Sequence, residues 1–451
     1  MSRSPDENEL ANIPDLYLAH HRFIANHGPD NLKDESKQQL LKAVEEKNMA
    51  PFYKQLTEEL KVPLNQGLLD KMEVANKEEL QKFDDKVSDA EQNQGETEIN
   101  EALLGKADYY AMIGDRDNAL KAYEALLKKS ITLGTRIDIV FAMVRIGFFF
   151  DDNVMVRSNI DKLKELIEQG GDWDRRNRLK AYEGVYLMSI RDFKGAASQF
   201  IDTLSTFTST EMMSYQDFVK YAVLTSIISM KRVDIKKKVL DSPEILEVIS
   251  DIPYLEDYMT SLYNCNYAQF FRALAHIEQT HLRTSRYLYP HIRYYVREMR
   301  IVAYAQLLES YRSLTITSMA QAFGVTEDYI DKELYKFVAA GRLNCVIDKV
   351  NGIIETNRPD AKNAQYQTVI KQGDFVPSHH TGDVSGRYVF IIGIIAKWMN
   401  YLSKPYPSLP FRAPHTKIFL TWGRREHEST DVGVENMNDQ VNYPHYRTCV
   451  M

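Results

Sequence analysis

Histidine and cysteine are two residue types of this sequence that could hold a metal ion or take part in nucleophilic catalysis. Two histidine pairs occur, His20-His21 and His379-His380, and the three cysteines stand far apart. Neither pair lies in an HExxH frame, which places two zinc ligands and a base on one helix face. The sequence also lacks a GxxxxGK[ST] phosphate loop, a GxSxG nucleophile turn and a CxxC pair. These patterns predict no catalytic, cofactor-binding or metal-binding residue, and they favour a protein that is not an enzyme.

Lysine and arginine are concentrated in two short stretches, residues 175–178 (RRNR) and 236–238 (KKK). On a solvated helix face such a stretch serves solubility, whereas at an interface it pairs with an acidic neighbouring protein. The formal net charge of −7 gives the chain no general attraction to nucleic acid. Both interpretations stay open for the two stretches.

The most regular pattern of the sequence lies between Ser313 and Thr356, and it predicts two helices followed by a hairpin. Thr315 is placed to cap the first helix and Gly324 to end it, while Thr326 caps the second helix and Gly341 ends that one. Apolar residues fall on one face of each helix at helical spacing: Ile316, Met319, Ala320 and Phe323, then Ile330, Leu334, Phe337 and Val338. This order of elements predicts a winged-helix domain.

The hairpin after the second helix is the predicted wing. Its first strand alternates apolar and other residues as a half-buried strand does, Asn351-Gly352 favours a tight turn, and an apolar pair begins the return strand. An open strand edge can pair its main chain with a strand of another protein. We therefore predict that the wing binds a protein partner, through Leu343, Cys345, Ile347, Ile353 and Ile354.

A winged helix can also bind DNA, with the N-terminus of its second helix in the major groove. Four carboxylates and two lysines lie at that end of the helix here: Glu327, Asp328, Asp331 and Glu333, against Lys332 and Lys336. Lysines and arginines drive duplex binding by releasing counterions from phosphate, so the carboxylates oppose it. Protein binding is favoured, and a nucleic-acid-binding winged helix is kept as the alternative.

A weak repeat precedes this region. Tyr109, Asp115, Ala119 and Tyr123 recur 77 positions later as Tyr186, Asp192, Ala196 and Phe200. Two periods of roughly 38 residues approach the helix-pair repeat of tetratricopeptide arrays, and a degenerate middle copy fits around residues 145–152. Small residues let paired helices approach closely, and successive pairs stack into a solenoid. A generic helical bundle is the alternative to this architecture.

Composition and periodicity predict a mainly α-helical protein with four regions. A charged helical region at 1–100 precedes tetratricopeptide-like repeats at 101–230, and residues 231–365 hold further helices and the winged helix. Residues 366–451 are predicted to be a linker and a poorly ordered tail, because prolines are frequent and no helical period is sustained. The apolar run at 388–402 is too short to span a membrane. The sparse cysteines and the polar N-terminus indicate a reducing compartment without a secretory signal.

A helical solenoid that runs into a winged helix resembles the PCI family. The resemblance rests on three long stretches, residues 105–150, 170–200 and 331–375, and it ends after Phe375. Members of this family are scaffold subunits of the proteasome lid, the signalosome and a translation initiation factor. The resemblance implies a non-catalytic scaffold of the proteasome lid in ubiquitin-dependent protein degradation. A scaffold of the signalosome is the alternative within the same class.

The resemblance also implies partners and a location. The expected partners are other lid subunits that carry this domain, with the ATPase ring and the core particle as further candidates. The chain would then be part of a hetero-oligomer in the cytoplasm and nucleus, without cofactor, nucleic acid or membrane. Family members continue after the position of Phe375 with an amphipathic helix that joins a bundle of such helices, and the tail of this chain departs from that pattern.

Overall fold

The computed structural model describes residues 13–93, 95–129 and 132–356. The predicted tail lies outside the described residues, as do the apolar run at 388–402 and the His379-His380 pair. The described part contains 18 α-helices and one three-stranded sheet. This composition confirms the predicted mainly α-helical class.

Four helices precede the repeats: α1 (Leu16–His27), α2 (Asp30–Glu46), α3 (Ala50–Leu60) and α4 (Gln66–Asn93). Each of the last three buries a narrow apolar stripe, such as Leu40 with Val44 in α2 and Phe52 with Leu56 in α3. The remaining positions are mostly charged and face solvent, which is the amphipathic pattern of helices that cover a core from one side.

The repeats are three helix pairs: α5 (Glu96–Met112) with α6 (Arg116–Leu127), α7 (Leu133–Phe149) with α8 (Asn153–Gly170), and α9 (Trp173–Ser189) with α10 (Phe193–Thr203). Each pair turns through one residue of left-handed backbone and then an aspartate whose carboxylate accepts a bond from a main-chain N–H of the second helix. The turn residues are Gly114 (φ 77°), Asp151 (φ 58°) and Arg191 (φ 70°), and the capping residues are Asp115, Asp152 and Asp192. The predicted repeat is confirmed, including its degenerate middle copy.

The residues that define the repeat lie at the contacts between paired helices. Ala119 and Ala196 are fully buried, and so are Tyr123 and Phe200. At Gly184 an added Cβ would lie 2.6 Å from the Phe200 ring, so only glycine allows this approach of α9 to α10. In this pair, a glycine on α9 and an aromatic ring on α10 therefore set the helix spacing.

The N-terminal segment packs against the repeats. Helix α7 is buried along nearly its whole length, because α6, α8 and α1 all contact it. Arg145 of α7 donates from Nε to the Ile13 carbonyl at 2.9 Å and from Nη1 to the Tyr182 hydroxyl at 3.2 Å. Tyr182 in turn donates to Glu211 at 3.0 Å. The buried guanidinium thus has hydrogen-bond partners from distant parts of the chain, which a buried charge requires.

Six further helices lead to the winged helix: α11 (Tyr215–Ser229), α12 (Arg232–Ile235), α13 (Pro243–Val248), α14 (Leu255–Tyr263), α15 (Tyr267–Ile277) and α16 (Ile292–Ser310). The repeat turn occurs once more between α14 and α15, where Cys265 has φ 61° and Asn266 caps α15. The sequence pattern of the other copies does not reveal this one, because its turn contains neither glycine nor aspartate. Only Tyr311 and Arg312 separate α16 from the next strand.

The C-terminal part of the described chain is a winged helix. Its elements are β1 (Ser313–Thr315), α17 (Ile316–Phe323), α18 (Glu327–Ala339), β2 (Cys345–Asp348) and β3 (Ile353–Thr356). Thr315 caps α17 through Oγ1, and Gly324 ends the helix with φ 66°, as predicted. Gly341 also has positive φ, 67°, two residues after the end of α18.

Three predictions for this region need correction. The predicted wing had two strands, whereas β1 adds a third on the far side of β3, and the sheet order is β1-β3-β2. Three residues are too few to display the alternation of a strand, and Thr315 was recognised only as a helix cap. Leu343 precedes β2 and is not part of the strand. Thr326 occupies the N-cap position of α18, but its side chain makes no capping bond.

In the described ranges, no helix combines the length and the apolar character that crossing a membrane requires.

Candidate protein-binding site at the winged helix

The winged helix is organised around a small apolar core shared by its two helices and its sheet. Phe323 of α17, Leu334 of α18 and Ile354 of β3 are at most 1% exposed. The Phe323 ring also contacts Tyr304 of α16 and Tyr267 of α15, with centroid distances of 4.7 and 4.8 Å. The core of the winged helix is therefore continuous with that of the preceding helices.

The structure places the five predicted partner-binding residues in two environments. Leu343, Cys345 and Ile354 are buried, whereas Ile347 and Ile353 are partly buried. Burial also raises the pKa of the Cys345 thiol, so this cysteine stays protonated at neutral pH. The three buried side chains join the wing to the core, and they cannot contact a partner unless the wing unfolds.

The outer strand of the wing is β2. Strand β3 pairs with β1 on one side and with β2 on the other, in antiparallel register, with Val346 opposite Glu355 and Ile347 opposite Ile354. Among the described residues β2 has a strand neighbour on one side only, so its second side is an open edge of main-chain donors and acceptors. Strand β1 also has one strand neighbour among the described residues, but it is only three residues long, so β2 is the longer of the two edges that can receive another strand.

Two exposed valines lie on and beside this edge. Val346 in β2 is 54% exposed, and Val350 at the tip of the hairpin is 94% exposed. Neither valine is among the residues predicted from the sequence. That prediction took every second position of the strand and so left out Val346. A β-branched residue at the solvent side of a strand was the available signal for Val346.

The turn between β2 and β3 is held by one carboxylate. Asp348 accepts hydrogen bonds from the Val350 N–H at 2.9 Å, from the Asn351 N–H at 3.3 Å and from Asn351 Nδ2 at 2.7 Å. These bonds, the Asn351 side chain first, lower the pKa of Asp348. Gly352 completes the turn with φ 64°, a conformation that glycine adopts without strain. The wing is thus ordered before any partner binds.

Ion pairs fix the orientation of the winged helix on α16. Arg300 donates to Glu333 of α18 at 2.6 Å, and Tyr304 donates to the second oxygen of the same carboxylate at 3.0 Å. On another side, Arg342 donates from two nitrogens to Glu298 of α16. Two-point contacts of this kind restrict rotation as well as distance. The open edge of β2 therefore has a set direction relative to the helices.

The charges on α18 do not suit a nucleic acid. Asp331 accepts a bond from Lys349 of the wing at 2.9 Å, and Glu333 is paired with Arg300. Glu327 and Asp328 lie exposed in the first turn of the helix. Two cations that could contact phosphate are thus paired with carboxylates of the same chain, and the exposed helix end is acidic.

Histidines of the described residues do not form a metal site. Within the three described ranges, no group of three or more histidine, cysteine or acidic side chains is arranged to hold a metal ion. His20 and His21 lie in α1, and burial followed by the charge of Arg286 lowers the pKa of His20 to about 4. The charged groups near His20 are Arg286 and, on α11, Asp217 and Lys220.

Comparison with known proteins matches two consecutive parts of the chain to family models. A family model described as 26S proteasome subunit RPN7 matches residues 65–238, and one described as PCI domain matches residues 254–358. The first match extends across the predicted boundary between residues 100 and 101. The predicted domain boundaries therefore remain predictions.

Individual relatives cover most of the chain. The 26S proteasome non-ATPase regulatory subunit 6 homolog of Arabidopsis thaliana is 50% identical over 365 residues, which are 80% of this chain and 94% of the relative. The 26S proteasome non-ATPase regulatory subunit 6 of Dictyostelium discoideum is 47% identical over 368 residues, 82% of this chain and 96% of the relative. The COP9 signalosome complex subunit 1b of Drosophila melanogaster is 22% identical over 306 residues, 66% of this chain and 58% of the relative. The chain therefore belongs to the family of 26S proteasome subunit RPN7, the non-ATPase regulatory subunits 6, and its winged helix lies in a PCI domain.

Proposed function

We propose that this chain is a non-catalytic scaffold subunit of the proteasome lid. In this role it supports ubiquitin-dependent protein degradation by holding neighbouring subunits in position. The observation that carries the proposal is the open edge of β2, on a winged helix that two sets of ion pairs fix to α16. A rigidly directed strand edge suits assembly, because it sets both the place and the orientation of the next subunit.

The mechanism is strand addition at β2. A partner strand would pair with the main chain of Cys345–Asp348, and the outward side chain of Val346 would select which strand fits. Four residues supply only a few such bonds, each with a net contribution of about 1 kcal/mol. A total of about 4 kcal/mol corresponds to roughly millimolar affinity. The wing therefore sets register, and other surfaces of the chain must supply most of the affinity.

The partners that fit this mechanism are other lid subunits with a PCI domain, since their sheets would offer a comparable edge. Contacts of the helical repeats with the ATPase ring or the core particle would add area. The chain would then be part of a hetero-oligomer in the cytoplasm and nucleus. The relatives that support this assignment are named as proteasome regulatory subunits.

The two alternatives have less support. The signalosome relative is 22% identical, against 50% for the proteasome relative from Arabidopsis thaliana. Duplex binding is opposed by the acidic start of α18 and by the intrachain pairing of Lys349 and Arg300.

Affinity purification of the tagged chain from cells, with quantitative mass spectrometry, tests the proposal. The wild-type chain is expected to recover the other lid subunits. Val346→Lys places a charge on the open edge, which blocks strand addition, and it should lower this recovery about tenfold or more. Val154→Lys is the matched control, because Val154 is 82% exposed on α8, away from the wing. Unchanged recovery with Val346→Lys would contradict strand addition, and recovery of signalosome subunits instead would contradict the assignment.

A further inference from the structure

The two basic stretches of the sequence differ in whether their cations form ion pairs within the described part of the chain. In the first, Arg175 is paired with Asp138 and Asp172, each at 2.7 Å. Arg178 is paired with Asp174 at 2.7 Å and lies 3.6 Å from buried Glu211. Arg175 therefore joins α9 to α7 of the neighbouring repeat, and the charges of both arginines are compensated within the chain.

The second stretch is part of a longer basic turn, residues 231–238, which covers α12 and the start of the π-helical turn Lys236–Leu240. Five of its eight side chains are cationic and one is a carboxylate: Lys231, Arg232, Lys236, Lys237 and Lys238, with Asp234. All five cations are exposed, and none of them forms an ion pair within the described part of the chain. The turn thus presents uncompensated positive charge on a chain whose net charge is negative.

The backbone beneath these charges is well anchored. Ile235 and Val239 are buried, and the Asp241 N–H donates to the Lys236 carbonyl at 2.9 Å, which closes the π turn. Arg232 donates to the Tyr263 carbonyl at 2.7 Å and stacks on the Tyr263 ring at 4.9 Å. Here the turn holds three consecutive lysines outward while its apolar residues stay in the core.

We propose that the basic turn is a docking surface for an acidic surface of a neighbouring protein subunit. This inference rests on the proposed function, because it assigns one of the additional contacts that the short β2 edge requires. Charge complementarity specifies the partner as a segment rich in aspartate and glutamate. Val233 is 67% exposed within the turn and would give that contact an apolar element.

A protein fits this surface better than a nucleic acid does. The cations are confined to one turn, and exposed Asp234 and Asp241 flank the lysines. Nucleic-acid binding needs cations spread along the phosphate backbone. The turn lies at the end of the RPN7 match and precedes the PCI match, a place where both parts of the chain can approach the same neighbour.

Carbodiimide coupling tests the partner directly, because this reagent joins a lysine amine to a carboxylate in contact with it. The complex is purified with the full chain, coupled, and digested for mass spectrometry. We expect links from Lys236, Lys237 or Lys238 to aspartate or glutamate of another subunit. An assembled complex without such links would overturn the proposal.

Charge reversal gives a second readout. In the variant Lys236→Glu/Lys237→Glu/Lys238→Glu, the salt concentration that releases half of the chain from the complex should fall about twofold or more. The control Lys121→Glu/Lys128→Glu/Lys129→Glu changes the same charge at exposed positions of and just after α6, and it should keep the wild-type value. An unchanged release concentration in the basic-turn variant would overturn this inference but not the proposed function. Tight binding of the turn to duplex DNA in competition with the complex would do the same. Failure of the wild-type chain to recover lid subunits would instead remove the proposed function, and this inference with it.

Discussion

Arg342, just after α18, and Glu298, within α16, form a two-point ion pair between the winged helix and the helix before it. Arg342 Nη1 lies 3.1 Å from Glu298 Oε1, and Nη2 contacts the other carboxylate oxygen. Glu298 is only 6% exposed, and its second cationic partner is Arg297 at 3.1 Å. The direction of the β2 edge therefore depends on a largely buried carboxylate that needs its arginines.

Removing Arg342 should weaken the attachment of the winged helix. In Arg342→Met the Glu298 carboxylate stays buried with one cationic partner, and the expected loss of unfolding free energy is roughly 1–3 kcal/mol. Urea denaturation followed by circular dichroism measures the loss. The double variant Arg342→Met/Glu298→Gln removes the unpaired charge and should regain part of the stability. A single variant as stable as the wild type would show that the pair does not hold the domain.

The seams between paired helices should resist larger side chains. Ala119→Phe and Ala196→Phe each insert a ring at a fully buried position, which should cost roughly 1–3 kcal/mol. Phe at Lys121, an exposed position on the same helix as Ala119, should change stability little. Thermal unfolding of the three variants compares them. Equal effects at all three positions would contradict the repeat register.

The helical repeats were predictable because their signals are local. A residue that adopts positive φ, followed by an aspartate that caps the next helix, is visible within four residues of sequence, as at Gly114-Asp115. The helix caps Thr315 and Gly324 were predictable for the same reason. The hydrogen bond between Arg145 and Ile13 joins residues 132 positions apart, and no local sequence pattern predicts it.

The site was only partly predictable from the sequence. The alternation of apolar and polar residues located the wing. Apolar character alone could not distinguish side chains that are buried in the core, such as Leu343 and Ile354, from side chains that contact a partner. Strand β1 was missed because its pairing with β3 is set by the tertiary fold. As a result the open edge and its exposed Val346 became apparent only in the structure.

Replacing a half-buried wing residue should separate assembly from folding of the repeats. Ile347→Asp places a carboxylate against the small core under β2. Burying this charge without a partner should cost at most several kcal/mol of unfolding free energy. We expect loss of incorporation into the complex, while the helical circular dichroism signal is retained. Normal incorporation of this variant would contradict a role for the wing in assembly.

Acid should destabilise the packing around His20 of α1, which lies near Asp217 and Lys220 of α11. His20 is largely buried near Arg286, Lys220 and Asp217, and its pKa is about 4 in the folded chain, against about 6.5 in an unfolded chain. The unfolded state then binds more protons between these values, so stability is fully present above about pH 6.5 and falls as pH decreases towards 4. The slope from this residue is at most about 1.4 kcal/mol per pH unit.

His20→Gln isolates this contribution. The variant should lose less stability than the wild type between pH 6.5 and pH 5, as measured by urea denaturation at each pH. Buried His281, whose pKa is also lowered by burial, remains in both proteins and contributes equally. Identical pH profiles would show that His20 does not titrate in this range.

Hydrogen–deuterium exchange of the free chain and of the assembled complex tests strand addition at β2 most directly. The peptide that contains Cys345–Asp348 is compared in the two states, with the hairpin tip at 349–352 as an internal reference. If β2 receives a partner strand, the outward amides of this peptide should exchange at least about tenfold more slowly in the complex. Equal exchange of β2 in the free chain and in a complex that demonstrably contains it would contradict strand addition.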